Sequence, residues 1–289
     1  MTLPVTKVLI VGHGAMGSGI ALSFARGGFE TTVLSRSAAK SSDPANGVRI
    51  TDQLPAEQPD LVIEAVPEQM ALKTVLFERL ERTYGPTMIL ASNTSSLPLQ
   101  EMADRLRRPA QFIGIHYMHP AEALPMVEVV RASQTSDETV TRTVEALART
   151  GKEAILLNRP VVGFLINRLQ HAILHEAYHL IEEGIVRAED VDNVAKWLLG
   201  PRMCVTGLIE QKDISGLDTH ALAQRGIVPH LHHGAEPSRL LQEKYQSGQL
   251  GVKTGVGFYD WRNRDVAAHK KKAGTTLERL LRLLRAERA

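Results

Sequence analysis

Short apolar runs alternate with stretches of helical periodicity through the first half of the chain. The runs at 7–11 (KVLIV), 31–35 (TTVLS), 48–51 (VRIT), 61–65 (LVIEA), 88–92 (MILAS) and 112–116 (FIGIH) have the length and apolar content of buried strands. Between several of them, Met16 to Arg26 and Met70 to Tyr84 repeat apolar residues at helical spacing. This alternation predicts an α/β fold, a Rossmann-type doubly wound parallel sheet with helices on both faces. After Pro160 the pattern changes. Gly163 to Gly184 reads as one long helix closed by a glycine, and further helical stretches follow with little strand signal. The expected organisation is a sheet domain over residues 1–159 and a mostly helical domain over 160–289.

With 289 residues, both domains are long enough to hold a core. The formal net charge of +2 gives no electrostatic reason to expect nucleic acid or a membrane surface as a partner. The one cysteine, Cys204, suits a reducing compartment. The N-terminal apolar run is interrupted by glycines and reads as a first strand, not a signal peptide, and no run approaches the roughly 18 apolar residues of a membrane span. A soluble, cytoplasmic protein is expected.

The first strand runs straight into Gly12-His13-Gly14-Ala15-Met16-Gly17, which opens the first helix. Glycines at this spacing let the backbone turn tightly and approach a pyrophosphate seated on the helix N-terminus. The strand–loop–helix context makes residues 1–159 a dinucleotide-binding domain; the alternative is a turn needed only for packing. NAD-binding units place an acid at the end of the second strand to hold the adenosine ribose. Here Ser35 and Arg36 stand in its place, and an arginine grips a 2′-phosphate through paired charge-assisted bonds, so NADP is favoured over NAD. The alternative is an exposed loop arginine.

His116 ends the run 112–116, and ligands of open α/β sheets bind at such carboxyl ends. Glu128 interrupts the apolar run Met126–Val130, where a carboxylate is costly to bury without a partner. A glutamate bonded to the imidazole fixes its tautomer and stabilises the imidazolium, which is what a base accepting a hydroxyl proton needs. Taken alone, the residues leave a satisfied core histidine open.

The run 92–97 (SNTSSL), His116 and Glu128 within GIHYMHPAEALPMVEVV, GFLINRL (163–169) and VKTGVGFYDW (252–261) together resemble the 3-hydroxyacyl-CoA dehydrogenase family, collinearly from Val8 to Trp261. The resemblance implies hydride transfer between a nicotinamide and an alcohol β to a carboxyl or thioester. It implies His116 as general base, Glu128 as its orienting partner, and Ser95 and Asn167 as donors to the reacting oxygen. Glu68, Lys73, Asn93, Ser95 and Lys253 match positions that approach the cofactor, with Gly12, Gly14, Ala15, Met16 and Gly17 in the glycine loop. A homodimer built through the helical domain is also implied.

Three departures stand out. His119-Pro120 replaces the family's Asn-Pro, Ser35 replaces the acid of the second strand, and the chain between the second strand and LVIEA is only about 25 residues, without the helical insertion that helps bind CoA in the acyl-CoA enzymes. The short segment and Pro125 before the glutamate strand resemble the branch acting on free hydroxy acids, such as gulonate, carnitine or pyridine-derived carboxylates, with the λ-crystallin relatives. The expected activity is NAD(P)-dependent oxidation of the 3-hydroxyl of a small hydroxy carboxylic acid, with 3-hydroxybutyryl-CoA dehydrogenase as the alternative. Arg168, beside Asn167, is a candidate cation for the carboxylate.

His175, Glu176 and His179 spell HExxH on the long helix, a zinc pattern. The dehydrogenase motifs, the lack of an evident third ligand and the acid that the resembled family itself carries at the Glu176 position argue against a metal; His230, His232 and His233, beside Gly234, read as a loop, with incidental metal affinity as the alternative. The tail 277–288 reads as a basic amphipathic helix that packs on protein.

Overall fold

A computed structural model describes residues 3–36 and 47–288, with Arg288 described for its backbone only. Eight strands form one sheet: β1 (Lys7–Val11), β2 (Glu30–Leu34), β3 (Val48–Thr51), β4 (Leu61–Glu64), β5 (Ile89–Ser92), β6 (Phe112–His116), β7 (Met126–Arg131) and β8 (Glu153–Leu157). Their order is β3-β2-β1-β4-β5-β6-β7-β8. The first six run parallel, β7 lies antiparallel to β6, and β8 runs parallel to β7. The order reverses between β1 and β4, the point where α/β sheets open a crevice for ligands.

The continuous apolar runs follow from burial on both faces. Ile10 and Ile63 face a core shared with Ile20 and Phe24 of α1 (Ala15–Arg26) and with Leu147 of a helix over Asp137–Arg149. Their neighbours Leu9 and Val62 face the opposite core, with Phe77 and Leu80 of α2 (Met70–Thr83) and Met102 of α3 (Leu99–Asp104). Alternate residues of each strand therefore feed two separate cores, and each fully buried Leu, Ile or Phe stabilises by about 1.5–3 kcal/mol. The helix over Asp137–Arg149, α4, starts where Ser136 accepts the Thr139 N–H.

By packing, the chain divides into Met1–Arg168 and Leu169–Ala289. The division falls within α5 (Ile166–Glu182), which begins later than Gly163 because Gly163 and Phe164 both take positive φ (81° and 48°). It ends as its sequence foretells: Gly184 at φ 68° lets the Gly184 and Ile185 N–H groups return to Ile181 and Leu180 carbonyls. The second unit continues through α6 (Ala188–Val194), a π-helical turn (Ala195–Leu199), α7 (Gly200–Thr206), α8 (Glu210–Ser215), α9 (Leu217–Ile227), α10 (Arg239–Gln246) and α11 (Val266–Arg288). Among its described residues only Ala177 is buried. No described helix is long and apolar enough to cross a membrane.

Candidate active site

The loop after β1 is shaped by two glycines and left open at a third. Gly12 takes φ 115°, and a Cβ there would stand 2.5 Å from the Ala65 carbonyl oxygen after β4. A Cβ on Gly17 would stand 2.0 Å from the Gly12 carbonyl oxygen, so only glycine brings α1 this close to the loop. Gly14, the N-cap of α1, would meet nothing within 4 Å. It provides no side-chain cap, so the first-turn N–H groups of α1 are available to an anion. This cradle fits a pyrophosphate.

Beyond the loop lies an open cavity of about 390 Å³, lined by Met16, Glu68, Asn93, Ser95, His116 and Asn167, with Tyr117, Met118 and His119 along one wall. It brings together residues from the ends of β4, β5 and β6 and the start of α5. A second hollow of about 230 Å³, near Lys7, Glu30 and Glu57, lies at the opposite, amino end of β1 and β2, away from these groups.

His116 and Glu128 are direct partners in the β6–β7 ladder. Residues facing each other across antiparallel strands project to the same side, and Glu128 Oε2 lies 2.7 Å from His116 Nδ1. Both side chains are buried. The other carboxylate oxygen accepts the N–H groups of Leu165 (2.8 Å) and Ile166 (2.9 Å), at the start of α5. Burial alone would push the Glu128 carboxyl up, but the imidazole and these two N–H donors outweigh it and hold it below the ordinary carboxylate range. With Nδ1 engaged, Nε2 is the nitrogen left for chemistry. Phe164 packs against the imidazole with ring centroids 5.4 Å apart.

A second charged network supports the serine loop. Lys73 Nζ, 1% exposed, lies 2.8 Å from both carboxylate oxygens of the fully buried Glu64 and 2.9 Å from Glu68 Oε2. Ser92 Oγ donates to Glu64. The other Glu68 oxygen accepts from Thr94 Oγ1 and from the N–H groups of Ser95 and Ser96. Burial would raise the Glu68 carboxyl, but Thr94, Lys73 and the Ser95 N–H together hold it down at about 2. Lys73 itself does not line the cavity. Its ammonium is turned inward, so whatever it does for a ligand passes through Glu68. Asn93 Oδ1 accepts the Tyr117 N–H at 2.9 Å and ties the ends of β5 and β6 together.

Ser35 is buried at the end of β2, its N–H bonded to the Thr51 carbonyl, and Arg36 beside it is exposed. Ser37 and the residues to Asn46 lie outside the described residues. The expectation for Arg168 changes: it is exposed, sends Nη1 toward the Val162 carbonyl and does not line the cavity. Lys253 lies in the second unit, exposed on the turn between the bridged residues Gly251 and Val256.

In HExxH, Glu176 accepts the His232 N–H and His175 Nε2 is bonded to the Gly234 carbonyl. The ring of His232 packs on His175 (4.6 Å) and stacks on His179 (4.3 Å, 16°). No group of three or more ligating residues among the described residues has metal-binding geometry.

The sequence motifs did not single out Glu64, Thr94 or Phe164 as functional residues. Glu64 offered one signal, a carboxylate inside the run LVIEA with a lysine nine residues on.

Residues 7–54 and 38–160 match the 3-hydroxyacyl-CoA dehydrogenase NAD binding domain, and residues 163–261 match the C-terminal domain of the same family. A probable 3-hydroxybutyryl-CoA dehydrogenase from Bacillus subtilis strain 168 is 34% identical, over 91% of this chain and 99% of that one. A 5-formyl-3-hydroxy-2-methylpyridine 4-carboxylate 5-dehydrogenase from Mesorhizobium japonicum is 27% identical, over 97% of this chain and 98% of the other. A crystal structure of a dehydrogenase of that pyridine carboxylic acid, described as an NAD+-dependent dismutase, superposes with a TM-score of 0.91 at 26% identity, covering 97% of this chain and 99% of that one. The chain therefore belongs to the 3-hydroxyacyl-CoA dehydrogenase family of oxidoreductases, which act on a 3-hydroxyl group and carry an NAD-binding domain.

Proposed function

We propose that this chain oxidises the 3-hydroxyl of a small free hydroxy carboxylic acid to the 3-oxo acid, reversibly, with His116 as the general base. The observation that carries this reading is the buried His116–Glu128 pair at a cavity that also holds Ser95 and Asn167. The nicotinamide cofactor, when bound, supplies the hydride acceptor. His116 Nε2 takes the hydroxyl proton as the C–H hydride leaves, and ionised Glu128 stabilises the imidazolium that results. Ser95 and Asn167 hold the oxygen that becomes a carbonyl. Gly12, Gly14, Ala15, Met16 and Gly17 cradle the pyrophosphate, with Glu68 and Asn93 toward the nicotinamide end.

The free-acid assignment draws on the short stretch between β2 and β4, and on the relative acting on a pyridine carboxylate that covers 97% of the chain. The second reading, 3-hydroxybutyryl-CoA as substrate, is favoured by the higher identity to the Bacillus subtilis relative. Absorbance of the reduced cofactor, followed across a panel of free 3-hydroxy acids and their CoA esters, separates the two. An advantage of roughly 100-fold in kcat/KM for the thioesters, about 2.7 kcal/mol of transition-state binding, overturns the free-acid reading. No turnover of either class overturns the dehydrogenase assignment.

For the cofactor, the exposed Arg36 beside Ser35 favours NADP over NAD. For assembly, the second unit is proposed to pair with a second copy of this chain. It leaves Trp197, Val205, Ile209 and Tyr245 each more than 70% exposed, more apolar surface than a helical unit keeps in water. Light scattering coupled to gel filtration checks this, and a monomer at micromolar concentration counts against it.

A further inference from the structure

Lys152, the residue before β8, is buried, with 6% of its surface exposed. Its Nζ lies 2.8 Å from the Ala121 carbonyl oxygen, 3.1 Å from that of Glu122 and 2.6 Å from that of Leu124. A charged lysine carries three N–H donors and no acceptor, so the three carbonyls meet a group of matching capacity. All three belong to the connection 117–125 that joins His116 to the strand bearing Glu128. The same connection presents Tyr117, Met118 and His119 to the cavity. Its outer side closes on α1, where a Cβ at Gly19 would stand 2.6 Å from Glu122 Oε2 and 3.0 Å from Ala121 Cβ. Next to the lysine, the Glu153 N–H donates to the Pro125 carbonyl at 2.8 Å, so the start of β8 grips the connection at two adjacent points.

Three carbonyl dipoles aimed at one point repel one another unless a donor stands between them. A turn already draws the segment together, the Pro120 carbonyl accepting the Ala123 and Leu124 N–H groups at 3.2 Å each, and the ammonium meets the carbonyls that this turn leaves without a partner in it. An apolar side chain at this position would leave the three carbonyls without that donor, a cost borne by this segment in particular. A satisfied buried polar group selects one conformation among several of similar energy.

The geometry points to Lys152 as a positioning residue for the reaction: its ammonium curls the 121–124 segment and thereby seats the Met118–His119 wall against the cavity beside His116. The inference rests on the dehydrogenase reading of the site, but two of its readouts need no turnover.

The test compares the full-length protein with Lys152→Met, which keeps the stem and loses every donor. Hydrogen exchange is followed in peptides spanning 117–125 and in β1, β4 and β5. Affinity for NADH and NADPH is read by fluorescence, and kcat and KM are measured with the best substrate of the acid and thioester panel. Lys152→Met is expected to exchange faster in 117–125 with the other strands unchanged, to bind reduced cofactor within about threefold of the unaltered protein, and to lose about tenfold or more in kcat. If Lys152→Met does not fold, Lys152→Gln is judged by the same readouts. A folded variant with unchanged exchange in 117–125, or with kcat within about twofold, overturns the proposal, as does exchange raised across the whole sheet or failure of both variants to fold. Should the unaltered protein turn over no substrate, the dehydrogenase reading fails, while exchange and cofactor affinity still decide whether Lys152 shapes this wall.

Discussion

Glu128 faces His116 across the β6–β7 ladder with 2.7 Å between Oε2 and Nδ1, and its second oxygen holds the N–H groups that open α5. One carboxylate thus sets the direction of the base and fixes the helix start that carries Asn167. His116→Ala is expected to lower turnover by about 100-fold or more while reduced-cofactor binding survives, since that is the scale of a lost general base. Glu128→Gln is expected to be slow as well, because an amide leaves the imidazolium without its counter-charge. Steady-state kinetics beside fluorescence titration checks both; near-normal turnover in His116→Ala ends the assignment.

Gly14 and Gly17 should respond oppositely to the same methyl group. Gly17→Ala drives a Cβ into the Gly12 carbonyl and is expected to lower the Tm by several degrees, because backbone cannot move aside cheaply. Gly14→Ala meets no protein atom and should fold normally, yet it occupies the approach to the α1 N-terminus and is expected to weaken cofactor binding about tenfold or more. Thermal melts and fluorescence titration separate them. Unimpaired cofactor binding by Gly14→Ala would place the pyrophosphate elsewhere.

Acid should act on the serine loop through Glu68. Its carboxyl, ordinarily near 4.5, is held down at about 2, so the unfolded chain takes up a proton well before the folded one. The stability it contributes is complete above about 4.5 and is lost as pH falls toward about 2. Glu68→Gln should therefore be less stable than the unaltered protein near neutrality, with the gap closing on acidification. Urea midpoints between about pH 3 and about pH 7 measure this. A gap that stays constant over that range would mean the carboxylate's charge is not what matters.

Cofactor preference should turn on two adjacent positions. Arg36→Ala combined with Ser35→Asp is expected to swing preference from NADP toward NAD, by removing a cation and adding a carboxylate that repels the 2′-phosphate. The ratio of kcat/KM for the two cofactors reads it. A tenfold preference for NAD in the unaltered protein would show that Arg36 points away from the adenosine.

The HExxH helix should prove indifferent to metal. Both histidines pack against His232, and the glutamate caps a backbone N–H. Chelator treatment is expected to leave activity unchanged, and metal analysis to find no stoichiometric zinc. Activity lost to the chelator and regained with zinc would reverse this reading.

What the sequence disclosed depended on how local the signal was. The strand runs, the glycine loop and the closing glycine of α5 are written in consecutive residues, and the structure places them within a few positions of expectation. The partner of His116 could be named because an isolated carboxylate inside an apolar strand demands one. Glu64 carries the same kind of signal, a carboxylate inside the apolar run LVIEA, but its network with Lys73 and Glu68 was hidden because the partners come from the next loop and helix. β8 also escaped notice: its run EAILL is only half-buried and begins with a charge, so neither alternation nor continuous burial marks it. Lys152 gave no sign at all, because its partners are backbone oxygens, which no residue type announces.

A helical unit in which Ala177 alone is buried among the described residues holds little apolar contact of its own to set against the ordering of its chain. If a second copy covers it, as proposed, its folding follows mass action, and protein concentration becomes a term in its stability. Dilution should then loosen α6 to α11 before it disturbs the sheet, so assays at nanomolar enzyme would report a falling specific activity that no change in the active site explains.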